Sequence, residues 1–347
     1  MKTLMEKEIY EPPEVLGRIE KTNEETVGKL VEELNSKNPA LAYFAARGTS
    51  DHASIYASYL LGIYKGIPTG LAMPSVVTVY GGALDLSNAV VFGVSQSGKA
   101  EDVRNVMQRG RDGGATVVSV TNNCDSPMAQ QADYHLYCNA GEEKSVAATK
   151  TFTSQMYNMA ILTAKWANND ALLASLRAVP EAISEMLDTV SPEIDKIIER
   201  YRFMNDGFIL ARGLNYPIAL EGCLKLQETN YVKMKGYAIS DFYHGPFAQV
   251  ENGTPVILYA ADGPCLVNAK EMLDKLDSVG AETIVVSDNA DFIKNRERAF
   301  KLPSLGSDAA SPFLFSVFAQ LFACKLTAVK GLNPDAPRNL KKVTVTV

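Results

Sequence analysis

The chain has 347 residues, of which 46% are hydrophobic and 21% are charged, and its formal charge at pH 7 is −6. This composition excludes a disordered or fibrous protein, and the length allows two domains of ordinary size. A nucleic-acid binder is not expected, because phosphate backbones are held mainly by clustered Lys and Arg. A local site for a small anion is still compatible with a net acidic chain.

The amino terminus and the cysteines bear on the cellular location. Five of the first twelve residues are charged, in the region where a signal peptide needs an apolar stretch. The longest uncharged segment, residues 66–84, contains two prolines and four glycines, whereas a spanning helix needs about 20 predominantly apolar residues. The five cysteines are dispersed and never form a C-x-x-C pair, so they are expected to be reduced core residues. We therefore predict a cytoplasmic protein with no membrane segment.

Short apolar runs alternate with helical patterns along most of the chain, which is typical of an α/β protein with parallel sheets. The pattern of residues 168–201 predicts helix without any strand. This segment separates two halves, in each of which apolar runs alternate with helical patterns. The predicted strands are 41–46, 89–94, 116–120 and 134–137 in the first half, and 207–211, 256–260 and 283–286 in the second.

The two halves also repeat each other in sequence. An Ala-Arg-Gly triplet at 46–48 recurs at 211–213, and the segment 89–98 (AVVFGVSQSG) corresponds to 254–263 (TPVILYAADG), both at an offset of 165. This constant offset predicts two tandem, doubly wound, flavodoxin-like domains, each a mainly parallel sheet flanked by helices. The predicted boundaries are 1–35 for a helical segment, 36–168 for the first domain, 169–201 for a helical linker, 202–335 for the second domain and 336–347 for a tail.

Hydroxyl and amide side chains follow two predicted strands of the first half. The sequence Ser95-Gln96-Ser97-Gly98 comes directly after one strand and before a helix, where free backbone N–H groups favour an anion. Thr49 and Ser50 follow the first strand, at the same carboxyl edge of the sheet. Ser and Gly are also ordinary turn and cap residues, so each cluster alone is a weak signal.

The second half lacks this pattern. Its corresponding turn reads Ala-Ala-Asp-Gly at 260–263, and the carboxylate would repel an anion. We therefore predict one phosphate site, in the first half. A third hydroxyl-rich turn at 145–150 could close over the ligand.

Charged residues at i, i+4 and i+7 mark one face of a helix in the second half. Glu221, Lys225 and Glu228 share this face, and the neighbouring positions are largely apolar. A solvated salt-bridge stripe is the alternative, but the apolar composition favours a face that lines a cavity. A carboxylate there could take a proton from one carbon and return it to the next.

The three histidines do not predict a metal centre, and H-E-x-x-H is absent. His135 alternates within an apolar strand and is expected to be structural. His52 follows the Thr-Ser cluster and could cap a helix or touch the ligand. His244 lies in a turn sequence, Phe-Tyr-His-Gly-Pro, and is the predicted catalytic imidazole because loops often carry function.

Seven segments in order along the chain point to one family. They are MEKEIYEP (5–12), SQSG (95–98), NAG leading to ATK (139–150), ALEG (219–222), KLQE (225–228), HGP (244–246) and PRNL (337–340). In combination they resemble the isomerase half of glucosamine-6-phosphate synthase, the glutamine–fructose-6-phosphate aminotransferase. The resemblance implies two sugar-isomerase (SIS) domains that bind a phosphorylated sugar at a site built without metal or cofactor.

The resemblance also implies roles for single residues. Glu228 would move a proton between C1 and C2 of the sugar, and His244 would open the sugar ring. The tail, 336–347, would fold over the site. The other implied contacts are Thr49, Ser50, Ser95, Gln96 and Ser97 to the 6-phosphate, Lys225 and Lys342 at the sugar end, and Val146 and Lys341 to the sugar.

Two departures from the synthase limit what carries over. The synthase pattern continues Ser-Gly-Glu-Thr, whereas this chain has Lys99 and Ala100, so one phosphate-contacting hydroxyl is lost and compensation by Lys99 stays open. The synthase also carries a glutaminase domain, but this chain begins at the isomerase segment and has no cysteine before Cys124. Glutamine-dependent aminotransfer is therefore not expected.

The segments 48–53, 141–144 and 340–344 resemble stand-alone glucosamine-6-phosphate deaminases of the SIS type most. We therefore expect conversion of glucosamine 6-phosphate to fructose 6-phosphate and ammonia. A deglycase for fructosyl-amino-acid 6-phosphates and a non-catalytic sugar-phosphate sensor are the alternatives. The resemblance further implies a homodimer in which His244 reaches into the partner's site.

Overall fold

The computed structural model describes residues 2–342. It divides into two compact units. The amino-terminal unit comprises Glu14–Glu143, Lys150–Arg177 and residues 341–342, and the carboxyl-terminal unit comprises residues 2–13, Lys144–Thr149 and Ala178–Leu340. Each unit contains one five-stranded sheet in which the paired strands are parallel.

The strands and helices alternate as an α/β fold requires. The strands are β1 (Leu41–Ala45), β2 (Thr69–Leu71), β3 (Ala89–Val94), β4 (Thr116–Thr121), β5 (Tyr134–Tyr137), β6 (Asp206–Ala211), β7 (Lys233–Ala238), β8 (Pro255–Ala260), β9 (Glu282–Ser287) and β10 (Ala299–Lys301). The helices are α1 (Leu4–Ile9), α2 (Pro12–Lys37), α3 (Thr49–Leu60), α4 (Ser75–Thr78), α5 (Glu101–Asp112), α6 (Pro127–Gln131), α7 (Lys150–Trp166), α8 (Asp170–Arg177), α9 (Val179–Ile197), α10 (Tyr216–Asn230), α11 (Ile239–Phe242), α12 (Leu266–Ser278), α13 (Ala290–Ile293) and α14 (Pro312–Val329). A π-helical turn, Leu61–Lys65, extends α3, and 3₁₀ turns occupy Ile198–Tyr201, Gly213–Asn215 and Pro246–Gln249.

The two sheets have the same strand order. The amino-terminal sheet runs β2-β1-β3-β4-β5, and the carboxyl-terminal sheet, written from its other edge, runs β7-β6-β8-β9-β10. This is the flavodoxin-like order, in which the chain winds outward in both directions from the first strand. The prediction of two tandem, doubly wound units is confirmed.

Every apolar run that was predicted as a strand forms one, and all of these strands except β5 are central in their sheets. All six residues of β3 and all six of β4 are buried, because helices cover both faces of a parallel sheet. The runs at 89–94 and 134–137 match their strands residue for residue, and the others lie within two residues of the observed ends. Residues 168–201 contain helix and no strand, as expected.

Three strands were missed by the sequence analysis: β2, β7 and β10. Each lies at a sheet edge or is only three residues long, so it has no continuous apolar run. β7 reads Lys-Met-Lys-Gly-Tyr-Ala, with both lysines exposed. A half-exposed edge strand leaves a weaker hydrophobic pattern than a central strand.

α14 is the core helix of the carboxyl-terminal unit. By length and composition it is apolar enough to cross a membrane, but 83% of it is buried inside the protein. Its phenylalanines pack in that interior, with Phe318 against Phe300 and Phe322. The sequence analysis overlooked this helix because Lys325 interrupts its uncharged run. No other helix within residues 2–342 meets the same criteria.

The cysteine prediction holds only in part. Cys138, Cys223 and Cys324 are buried, as core thiols should be. Cys124 is exposed on the loop after β4, and Cys265 is half-buried. Because both sit beyond strand ends, where loops meet solvent, the expectation of a core position was wrong for them.

Candidate functional site

The carboxyl edge of the amino-terminal sheet gathers the predicted phosphate residues. β1 and β3 are adjacent and parallel, with Ala45 opposite Gly93. The loop after β1 and the loop after β3 therefore leave the same edge side by side, where open α/β sheets bind ligands.

The loop after β3 is held in one conformation by hydrogen bonds to its backbone groups. The Gly98 N–H donates to Ser95 Oγ at 3.2 Å, and the Asn122 N–H donates to the Gln96 carbonyl at 3.0 Å. Gly98 has φ of +65°, and a Cβ there would lie 2.2 Å from Ser126 Oγ. Only glycine fits this position. Ser95 is buried, whereas the Gln96 and Ser97 side chains are half-buried and reach the surface of the edge.

The loop after β1 places Thr49 and Ser50 in the first turn of α3. Ser50 is buried, and its Oγ accepts a hydrogen bond from Gln155 Nε2 of α7 at 3.1 Å. Since the hydroxyl already accepts from an amide, its own hydrogen is left to donate to a ligand. Arg47 anchors the same loop to α5 through a 2.7 Å ion pair with Asp102.

The sequence departure at residues 99–100 has a structural counterpart. Ala100 is the N-cap residue of α5 and provides no side-chain hydrogen bond to the first turn of the helix. Lys99 is exposed and lies between this cap and the Ser95–Gly98 loop. The hydroxyl that a Thr would supply at position 100 is therefore missing from the edge.

The two histidines of the amino-terminal unit, His135 and His52, differ in their surroundings. His135 lies on β5 with Nε2 2.9 Å from Thr121 Oγ1, and burial lowers its pKa. It fills the structural role expected from the sequence. His52 lies in the first turn of α3 and is half-buried.

Residues 341 and 342 also belong to the amino-terminal unit. Lys342 Nζ lies 2.6 Å from the buried Glu143 carboxylate, in the loop before α7, whereas Lys341 is exposed. Residues 343–347 of the predicted tail lie outside the described residues.

The carboxyl-terminal unit contains the predicted charged face on α10. Lys225 Nζ lies 3.2 Å from Glu221 Oε1 and 2.6 Å from Glu228 Oε2. The side chains of Glu221 and Lys225 are 1% and 0% exposed, and that of Glu228 is 22% exposed. The three residues, called the α10 triad below, are therefore not a solvated stripe.

Electrostatics fix the charge state at the centre of the α10 triad. Burial alone lowers the pKa of Lys225, but the carboxylates of Glu221 and Glu228 outweigh burial and hold that pKa above its ordinary value. The ammonium is thus a permanent positive charge between two carboxylates. Glu228 is the member of the triad that solvent, or a ligand, can reach.

His244 lies in the turn that follows α11. Its backbone N–H donates to the Asp241 carbonyl at 3.0 Å, and Gly245 next to it has φ of +126°. The His244 side chain is exposed and has no hydrogen bond or ion pair to any described residue. The structure does not join it to the α10 triad by a hydrogen bond.

The loop that carries Val146 is tied to the amino-terminal helix. Glu8 of α1 accepts from the Ser145 N–H, at 3.2 Å, and from the Ser145 hydroxyl. Val146 is half-buried beside this anchor. Sequence reasoning missed Glu8, because its role depends on a contact across 137 residues of chain.

Within residues 2–342, no three His, Cys, Asp or Glu side chains converge in a way that could hold a metal ion.

Comparison with known proteins identifies relatives of the whole chain. A family model described as "SIS domain" matches residues 39–165 and 205–330. The glutamine–fructose-6-phosphate aminotransferase (isomerizing) of Methanothermobacter thermautotrophicus is 34% identical over 344 residues. That alignment covers 98% of this chain but 57% of the relative, so the chain spans little more than half of the relative's length.

Two solved structures extend the similarity. A proposed phosphosugar isomerase of Silicibacter pomeroyi superposes with a TM-score of 0.87 at 31% identity, covering 96% of this chain and 100% of that one. The C-terminal domain of glucosamine-fructose-6-phosphate aminotransferase from Francisella tularensis has a TM-score of 0.85 at 27% identity, with coverage of 97% and 99%.

Proposed function

The chain belongs to the SIS domain family, and from that premise we propose that it is a phosphosugar isomerase that acts on an amino-sugar 6-phosphate. The favoured reaction converts glucosamine 6-phosphate and water to fructose 6-phosphate and ammonia. The observation that carries the proposal is the α10 triad, in which a carboxylate that solvent can reach is held against a buried ammonium.

Recognition of the phosphate is assigned to the carboxyl edge of the amino-terminal sheet. Hydroxyls of Ser50 and Ser97, the Gln96 amide and backbone N–H groups of the Ser95–Gly98 loop are donors suited to phosphate oxygens. Thr49 adds a further hydroxyl on the neighbouring loop. The Methanothermobacter relative bears the name of a sugar with phosphate at C6, which favours the same class of ligand here.

Proton transfer is assigned to Glu228. In open-chain glucosamine 6-phosphate, the carboxylate removes the proton from C2, and the electron pair forms a C1=C2 enolamine while the C1 oxygen gains a proton. Return of the proton to C1 gives a C2 ketimine. Water then adds to C2 and ammonia leaves, which yields fructose 6-phosphate. Lys225 orients Glu228, because a 2.6 Å ion pair on a packed helix leaves the carboxylate little freedom.

The remaining assignments concern the ends of the sugar. Lys342, Lys341 and Val146 are proposed to contact the sugar, and His244 is proposed to open its ring. His244 is exposed and lacks a side-chain partner among the described residues, which favours a role in a second copy of the chain. The proposal also includes a homodimer with shared sites and a location in the cytoplasm.

A substrate panel tests the proposal. The purified protein is given glucosamine 6-phosphate, unphosphorylated glucosamine and a fructosyl-amino-acid 6-phosphate, and released ammonia or amino acid is measured. We expect ammonia from glucosamine 6-phosphate alone, because loss of the phosphate discards most of the binding energy. The Glu228→Gln protein is the matched control for adventitious activity.

Each other outcome rejects part of the assignment. Amino acid released from the fructosyl compound, with no ammonia from glucosamine 6-phosphate, would make the protein a deglycase. Binding of glucosamine 6-phosphate without turnover would make it a sensor. Equal turnover of glucosamine with and without phosphate would contradict the phosphate site.

A further inference from the structure

We propose that Glu143 is a positioning residue that docks Lys342, so that the carboxyl-terminal lysine is held in one place in the amino-terminal unit. Only the purpose of this docking, to present the Lys342 amine to the sugar, rests on the proposed function. The docking itself stands on contacts within one unit. Glu143 Oε2 and Lys342 Nζ are 2.6 Å apart, although 199 residues separate them in the chain.

The Glu143 carboxylate is fixed without any help from the tail. The Thr151 N–H donates to Oε1 at 3.1 Å, and the Thr151 hydroxyl donates to Oε2 at 2.8 Å. Both groups belong to the first turn of α7, a helix that is buried along almost its whole length. The carboxylate is thus a rigid acceptor at a defined position.

The loop that carries Glu143 is also anchored at its start. Asn122 accepts from the Ala140 N–H at 2.9 Å and donates to the Gly141 carbonyl at 2.7 Å. Gly141 has φ of +66°, which lets the chain turn there without strain. With both sides of the loop held, Glu143 has a fixed direction as well as a fixed position.

Burial explains why this carboxylate selects a cation. The Glu143 side chain is 0% exposed, and a buried negative charge is costly unless a positive group pairs with it. Lys342 places a positive charge 2.6 Å from this carboxylate while its own side chain is 24% exposed, so the amine is docked but open to solvent on one side. An amine held in this way can contact both the carboxylate and a ligand.

The neighbouring residues provide natural controls. Lys341 has the same chemistry as Lys342 but is exposed, and Glu142 has the same chemistry as Glu143 but is also exposed. If electrostatic attraction alone held the tail, either lysine would serve with either carboxylate. In the structure, Lys342 contacts the buried carboxylate of Glu143.

Competitive lysine labelling tests the docking without substrate. The protein is acetylated at low reagent concentration, and mass spectrometry compares the rates at Lys342 and Lys341. We expect Lys342 to react about tenfold more slowly than Lys341, because its amine is engaged by a buried partner. In Glu143→Gln the two rates should become similar, and in Glu142→Gln the difference should remain.

A second variant separates docking from simple loop damage. Thr151→Val removes a hydroxyl from the carboxylate but keeps the negative charge, so Lys342 should stay protected. Should Glu143→Gln fail to fold, Glu143→Asp keeps the charge and withdraws it by one methylene, which should raise the Lys342 rate part of the way. Equal rates at the two lysines in the unmodified protein would overturn the proposal.

Kinetics then connect the docking to turnover. Glu143→Gln should lower kcat/KM for glucosamine 6-phosphate, but it should add little loss to a Lys342→Met protein, since it acts through that lysine. Full additivity of the two losses would mean a structural role for Glu143 and would refute the positioning role. The labelling result does not depend on any substrate, so failure of the proposed function would leave the labelling test intact.

Discussion

Replacing Lys225 by Met tests whether the α10 triad is a buried charge network. The variant keeps the length and the apolar stem of the side chain but leaves the carboxylates of Glu221 and Glu228 without their counterion. At 3.2 and 2.6 Å, Coulomb's law with an effective dielectric constant of 20 gives about 5 and 6 kcal/mol for the two pairs. Much of this attraction offsets the desolvation of the charges. Removing one partner of a buried network should therefore cost about 3–5 kcal/mol of unfolding free energy.

Urea unfolding at pH 7 is the assay, with Lys233→Met as the matched control. Lys233 is an exposed lysine of the same unit, so its replacement should change the unfolding free energy by less than about 0.5 kcal/mol. A double variant, Glu221→Gln with Lys225→Met, should recover part of the loss, because it also removes the most buried carboxylate. A loss below about 1 kcal/mol for Lys225→Met would mean that solvent screens the triad.

The stability difference between the unmodified protein and Lys225→Met should depend on pH with a definite sign. The pKa of Lys225 is raised in the folded protein, so its contribution is fully present below the ordinary lysine pKa, about 10.4. The stability difference between the unmodified protein and Lys225→Met should shrink as the pH rises above about 10, because the unfolded chain there releases a lysine proton that the folded protein still holds. An unchanged difference from pH 9 to 12 would contradict the charged network.

Three further predictions concern other residues. Ser50→Ala should raise KM for glucosamine 6-phosphate by about tenfold with a smaller change in kcat, because it removes the buried hydroxyl that we propose as a donor to the phosphate; an unchanged KM in steady-state assays would reject the phosphate contact. Burial acts to raise the pKa of Glu33. Hydrogen bonds from Lys37, Tyr134 and Thr116 outweigh burial and lower that pKa to about 2. The unmodified protein should therefore lose stability relative to Glu33→Gln as the pH falls from about 4.3 to 2, and parallel thermal unfolding curves over that range would refute this. Mixing inactive His244→Ala and Glu228→Gln chains should restore part of the activity in mixed dimers, whereas no recovery after confirmed subunit exchange would place His244 in the site of its own chain.

The sequence was sufficient for the parts of the fold that depend on local pattern. Central strands such as β3 and β4 are buried throughout, so their apolar runs identified them directly. The spacing of Glu221, Lys225 and Glu228 predicted the shared helix face, and the apolar residues between them argued correctly against a solvated stripe. Edge strands such as β7 carry too little of that pattern.

Contacts between distant segments could not be predicted in this way. Gln155 donates a hydrogen bond to Ser50 across 105 residues of chain, and Lys342 donates one to Glu143 across 199 residues. Neither Gln155, in α7, nor Glu143, in the loop before α7, differs locally from an ordinary polar residue. Their roles arise only when α7 packs beside α3 and when the chain end returns to the amino-terminal unit.

The most direct test of the proposed chemistry is exchange of carbon-bound hydrogen in the Glu228→Gln protein. Glucosamine 6-phosphate or fructose 6-phosphate with ammonia is incubated in D₂O, and deuterium at C1 and C2 is measured by NMR. Gln keeps the size of the side chain but removes the base, and general acid–base catalysis contributes roughly 10²–10⁴ in rate. Glu251→Gln, at an exposed carboxylate of the same unit, serves as the control, and thermal unfolding checks that both variants are folded.

We expect exchange to fall by roughly 10²–10⁴ in Glu228→Gln, with substrate affinity little changed, and to be normal in Glu251→Gln. Undiminished exchange in a folded Glu228→Gln protein would contradict the assignment of proton transfer to this residue.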